Sequence, residues 1–231
     1  YYRGDSIGWV EVEAELTEPL GGGTGSNTGL GTRMLFMGGT DGSGVIDVID
    51  YITISTLGNA QDFGNLLAGE QEGAFVSNHL RGLYFGGDPA DNDIEFVTFS
   101  NLGNATDFGD CTTTAKSGSS CADRNRGVMI LGAGNNVINY IQFSTTGNAQ
   151  DFGDTSMVQS AGSGVSSSTR GVFAIGSSNA NYKNILEYIT ISTTGDSTDF
   201  GDLTRMGVHC NSYSNATRGV FHSGYQYPTS P

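Results

Sequence analysis

Gly58-Asn59-Ala60-Gln61-Asp62-Phe63-Gly64 is written again at Gly103–Gly109 (GNATDFG) and Gly147–Gly153 (GNAQDFG), and in a worn form at Gly195–Gly201 (GDSTDFG). The aspartates Asp62, Asp107, Asp151 and Asp199 are 45, 44 and 48 residues apart. A period of about 40–50 residues in a glycine-rich, strand-rich chain is the signature of propeller blades. The chain therefore reads as one small unit repeated, and function is to be sought on the assembled object.

Two further phrases travel with the first. One opens on arginine and alternates apolar residues before glycine: TRMLFMGG from Thr32, RGLYFGG from Arg81, RGVMILG from Arg126, RGVFAIG from Arg170 and RGVFHSG from Arg218. The other is VIDYITIST from Val48, DIEFVTFSN from Asp93, VINYIQFST from Val137 and ILEYITIST from Ile185. Apolar and polar residues alternating over about eight positions mark half-buried strands, and β-branched and aromatic residues suit a pleated surface. No segment carries helical spacing. Serine-rich stretches before each arginine, such as Val165 to Thr169 and Asn211 to Thr217, fit an inner strand at a crowded axis.

The expected fold is all-β: a single propeller domain over residues 1–231, with repeats starting near Arg33, Arg81, Arg126, Arg170 and Arg218. Five repeats in 231 residues give blades of about 46 residues, the last completed by residues 1–32, where WVEVEAELT from Trp9 alternates like the isoleucine-rich strands. Joining the termini in this way removes free sheet edges.

Composition limits the partners. A formal charge of −14 leaves no surface to neutralise phosphates, so neither nucleic acid nor an anionic membrane is expected to bind. No apolar run reaches the roughly 18 residues of a spanning helix, and membrane insertion is not expected. Three cysteines are too few for a disulfide framework. Cys111 and Cys121 allow one loop-closing bond, or serve as small buried hydrophobes.

Catalytic, cofactor and metal motifs are missing from the pattern. Asp-Phe-Gly is a kinase phrase only beside a phosphate loop and a catalytic aspartate. His79, His209 and His222 lack metal-ligand spacing. Asp88, Asp91 and Asp93 lack the EF-hand pattern and read as a solvated turn. No catalytic residue, cofactor or metal is expected. Five of the ten basic residues are the repeat arginines, whose planar fork suits carboxylates or backbone carbonyls. Bonding to the aspartate turn of the same or an adjacent blade is the expected arrangement.

The order arginine strand, paired glycines and tyrosine-bearing strand resembles the kelch propeller repeat, as in RGLYFGG and VIDYITIST. The strings STRGVF, YITIST and GNATDFGD are similar to repeats of virion structural proteins of marine bacteriophages, especially cyanophages. That resemblance implies a non-enzymatic subunit at the virion surface or on an extracellular appendage such as a tail fibre. Its partners would be other virion subunits and a host-surface glycan, with a homo-oligomer allowed. Host attachment is the leading expectation, a purely structural decoration protein the alternative, and a polysaccharide-degrading propeller enzyme the third. Outside the repeat phrases, Tyr182 and Tyr213 sit among Asn and Ser and are the candidate ligand-binding residues, because aromatic rings with polar tips suit sugars and partner proteins. Tyr225 and Tyr227 suit docking to a neighbouring subunit.

Overall fold

The structure is a computed structural model and describes residues 2–3, 8–9, 33–178, 181–215, 217–222 and 224. It is all-β, built from antiparallel sheets that follow one another along the chain. The first sheet has three strands, Arg33–Met37, Val48–Thr53 and Gln61–Asn65. The second adds a leading strand: Ala74–Ser77, Arg81–Phe85, Asp91–Thr98 and Thr106–Ala115. The third is Ser119–Ala122, Arg126–Ile130, Val137–Gln142 and Gln150–Asp154. The fourth is Ser163–Ser166, Arg170–Ala174, Ile185–Thr190 and Thr198–Asp202. A hairpin, Asn211–Ser214 with Gly219–His222, begins a fifth.

Each sheet is a simple meander, and each contains the same irregularity. Register shifts between Ile49 and Asp50, Ile94 and Glu95, Ile138 and Asn139, and Leu186 and Glu187. Opposite each shift stands the Phe-Gly of the repeated phrase. The phenylalanine is the extra residue of a β-bulge, and its glycine takes a positive φ between 131° and 151°. The bulge turns Phe63, Phe108 and Phe152 into the space between sheets, where each is 2% exposed.

The core lies between successive sheets rather than within any one. Met37, Ile49, Tyr51 and Phe63 of the first sheet pack on Tyr84, Val97 and the adjoining Ala105 of the second. Leu83, Phe85, Ile94 and Phe108 meet Met129, Leu131, Ile141 and Phe143. Val128, Ile130, Ile138 and Phe152 meet Phe173, Ile189 and Ile191. Leading strands are tied by serine: Ser120 Oγ donates to the Phe75 carbonyl, Ser166 Oγ to Ala122 O at 2.9 Å, and Ser212 Oγ to Gly164 O at 2.7 Å.

These sheets form an open series among the described residues. The expected five-blade closure through residues 1–32 lies largely outside them, beyond the short pairing of Tyr2–Arg3 with Gly8–Trp9. Tyr225 and Tyr227 also lie outside the described residues. Cys111, Cys121 and Cys210 are buried free thiols, so no Cys111–Cys121 bond closes that loop.

Candidate functional site

Three of the repeat arginines and the repeated turns join sheet to sheet. Arg81 donates from Nη1 to Phe143 O, and Arg126 to Ile191 O, each at 2.8 Å in the following sheet. Arg33 does the same to Phe99 O. Each guanidinium also covers an aromatic ring of its own sheet, Arg33 on Tyr51, Arg81 on Phe96, Arg126 on Tyr140 and Arg170 on Tyr188, at 4.3–4.9 Å from the centroid. The expected pairing with the repeat aspartates is thereby corrected for Arg33, Arg81 and Arg126: their acceptors are backbone carbonyls, and Asp62, Asp107, Asp151 and Asp199 face solvent. A carbonyl at a strand end is fixed and desolvated, whereas an exposed carboxylate is already well hydrated. Arg170 and Arg218 are exposed.

The Gly-Asn-Ala turn is the other half of this joint. At the second sheet's turn, Gly103 N donates to Phe63 O and Ala105 N to Asn65 O, each at 2.8 Å, while Asn104 Oδ1 accepts from Asn65 N at 3.1 Å. The same three bonds recur at Gly147–Ala149 and at Gly195–Ser197, where Asp196 supplies the acceptor oxygen. Only an oxygen is required, which explains how GDS replaces GNA. A Cβ on Gly64 would lie 2.3 Å from Gly103 O, so close backbone approach fixes Gly64, while Gly103 is favoured by its φ of 151°.

A third joint uses the residue before the central aromatic. Glu95 accepts from Leu67 N at 2.8 Å, Asn139 from Thr112 N at 2.8 Å, and Glu187 from Ser156 N at 3.2 Å. All three side chains are buried.

The connections between sheets meet at a polar well of about 360 Å³, lined by residues that include Glu72, Lys116, Ser117, Tyr182 and His209. Four connections reach it in a continuous backbone chain: Ser117 N donates to Glu72 O at 2.8 Å, Ala161 N to Ser117 O at 2.8 Å, and His209 N to Ala161 O at 2.9 Å. Among the described residues, the non-glycine residues with positive φ are Glu72, Ser117, Ala133, Ala161 and His209, at 50–56°. All five line this well. A side chain in that conformation costs on the order of 1 kcal/mol, which glycine would avoid. A chain with 36 glycines nevertheless carries five side chains there.

The well's charges are paired. Lys116 Nζ lies 3.0 Å from Asp88 and 3.8 Å from Glu72, and Ser117 Oγ donates to Glu72 at 2.8 Å. Hydrogen bonding from Lys116 holds the Asp88 carboxyl below its usual range. The expected solvated turn is thus corrected: Asp88 is ion-paired, and Asp91 and Asp93 belong to the strand Asp91–Thr98. Asp91 is half-buried, and burial raises its pKa. Burial, followed by the charge of Asp91, raises neighbouring Glu70 to about 7.

Tyr182 stands in the wall of the well, half-buried; Tyr213 is 66% exposed and is not part of the lining. The structure therefore does not gather the two expected tyrosines into one site. His209 lines the well and is tied to it by its backbone bond. Sequence reasoning passed over Glu72, Ser117 and Ala161 and weighed His209 only for other chemistry; the four are spaced 45, 44 and 48 residues apart. Their signal was a fixed place in the period where each copy carries a different chemistry.

Compared with known protein families and with curated proteins, the chain matches none.

Proposed function

We propose that this protein is a non-enzymatic binding module of a bacteriophage virion, carried on an appendage or the particle surface and used in host attachment. The observation that supports this reading is the convergence of all five left-handed side chains on one well. Strain of this kind collects at ligand clamps, and loops on a rigid scaffold are where recognition concentrates. The likeness of STRGVF, YITIST and GNATDFGD to phage structural repeats supplies the setting. In the same reading the series closes as a five-bladed kelch-like propeller, residues 1–32 completing the blade begun by Asn211–His222. Phe200 supports a missing neighbour there, being 50% exposed where its three counterparts are 2% exposed. Other virion subunits are the remaining partners, and a decoration role would use the same open edge.

Immunogold labelling of intact particles with antibody against this chain tests the setting, and inhibition of particle adsorption by the purified protein tests attachment. Labelling together with inhibition is the expected result. Unlabelled particles, or adsorption unaffected by excess protein, reject the reading.

One observation favours a second reading, a polysaccharide-cleaving enzyme: Glu72 and Asp88 both lie within 4 Å of Lys116 beside the well. Glycoside cleavage needs one carboxyl held protonated as the acid. Lys116 instead stabilises Asp88 as a carboxylate. Release of reducing ends from a neutral polysaccharide, abolished by Asp88→Asn, would establish the enzyme.

A further inference from the structure

We infer that the well is a binding site for a neutral saccharide of one or two rings, a conclusion that rests on the attachment reading above. The well's size is near the lower end of the range of about 300–1,000 Å³ typical of small-molecule sites. Its ammonium, Lys116, is already matched by Asp88 and Glu72. Among the described lining residues an anion meets no unspent lysine or arginine charge, and it must approach a chain of formal charge −14. A cation would have to displace Lys116 from its two carboxylates. A neutral ligand faces neither cost.

The polar lining suits hydroxyls. Ser117 gives its proton to Glu72, and Ser177 Oγ donates to Ser160 O at 3.3 Å, so both hydroxyl oxygens keep lone pairs for a ligand donor. Glu72 keeps further acceptor sites. Tyr182 stands half-buried in the same wall, and an aromatic ring with a polar tip is of the kind that receives the C–H face of a sugar. Specificity would reside in Glu72, Ser117, Ala161 and His209, because the ladder places four chemically different side chains at equivalent positions around one mouth.

Left-handed strain supplies a test that separates binding from folding. Glycine at Ser117 or His209 relieves the φ of 50° or 52° while deleting the side chain. Saturation-transfer NMR on the full chain would use glucose, galactose, mannose, cellobiose and lactose, with N-acetylneuraminic acid as the anionic counterpart. At least one neutral sugar is expected to take up saturation. Ser117→Gly and Tyr182→Ala should weaken its binding about tenfold, a change of about 1.4 kcal/mol, and Ser117→Gly should melt no lower than the parent. Tyr213→Ala should bind as the parent does. Saturation of no neutral sugar, saturation of the anionic sugar alone, or unchanged binding in both well variants overturns the inference. Inhibition of adsorption without any sugar signal would leave the attachment reading standing and remove the saccharide.

Discussion

Arg126 and Ile191 join two sheets through a single bond: the guanidinium Nη1 donates to the Ile191 carbonyl at 2.8 Å while the same group lies 4.3 Å from the Tyr140 ring centroid. The arginine thus uses its flat face on its own sheet and its edge on the next. Only a planar cation does both. The arrangement recurs with Arg33 and Arg81, so it belongs to the repeat.

Arg126→Ala is expected to remove about 2–3 kcal/mol, combining a charge-assisted hydrogen bond with cation–π stacking. In a domain of this size that lowers the melting temperature by roughly 4–12 °C. Arg126→Lys should recover little of it, because an ammonium cannot present both face and edge. Asp151→Asn should leave the melt within about 1 °C, since surface changes of this kind stay within about 0.5 kcal/mol. A larger fall for Asp151→Asn than for Arg126→Ala would contradict the carbonyl assignment.

Glu187 is 2% exposed and accepts from Ser156 N, Ser156 Oγ and Ser197 Oγ. Glu187→Leu removes the carboxylate shared by the exposed Ser156 and the half-buried Ser197 and leaves their donors to water, at a cost of about 1–3 kcal/mol. Glu187→Gln keeps an acceptor oxygen, as Asn139 does at the same place in the third sheet, and should cost less than about half of that. Urea denaturation of the two variants gives the comparison, and equal losses would show that the bonds across the joint carry no weight.

Phe152 and Phe200 stand at the same place in the repeat, one 2% and the other 50% exposed. Phe152→Ala is expected to cost about 3–5 kcal/mol as a cavity between sheets. Phe200→Ala should cost well under half as much if its edge is free in solution. A full-sized loss at Phe200 would instead reveal a covering neighbour, supplied by the completed fifth blade or another subunit.

Glu70 gives the protein a dependence on pH. Its folded pKa of about 7 exceeds its ordinary value of 4.5 because the carboxyl is buried near Asp91. The protonated form is the one the folded state favours. Its contribution is full below about pH 4.5 and is lost as pH rises through about 7. Relative to a Glu70→Gln variant, the wild-type protein should therefore melt at progressively lower temperature between pH 5 and pH 8. Parallel melting curves for the two proteins across that range would reject the shift.

The sequence alone determined that this chain is all-β and modular. Alternation with period two fixes strands, and three phrases repeating in step fix the sheet order, because local geometry depends on neighbours along the chain. It also marked Phe63, Phe108, Phe152 and Phe200 as equivalent. Only the tertiary structure decided what those residues do. A bulge opposite Asp50, Glu95, Asn139 and Glu187 sends the phenylalanine inward and leaves the adjacent aspartate in water, so the most conspicuous charge in the phrase is among its least engaged parts. The arginines' acceptors were not legible because every residue has a carbonyl, and only folding desolvates and aims particular ones. The well was hidden for a related reason. Glu72, Ser117, Ala161 and His209 share no chemistry, and their likeness lies in a backbone angle and a hydrogen-bonded ladder that exist once successive sheets have packed.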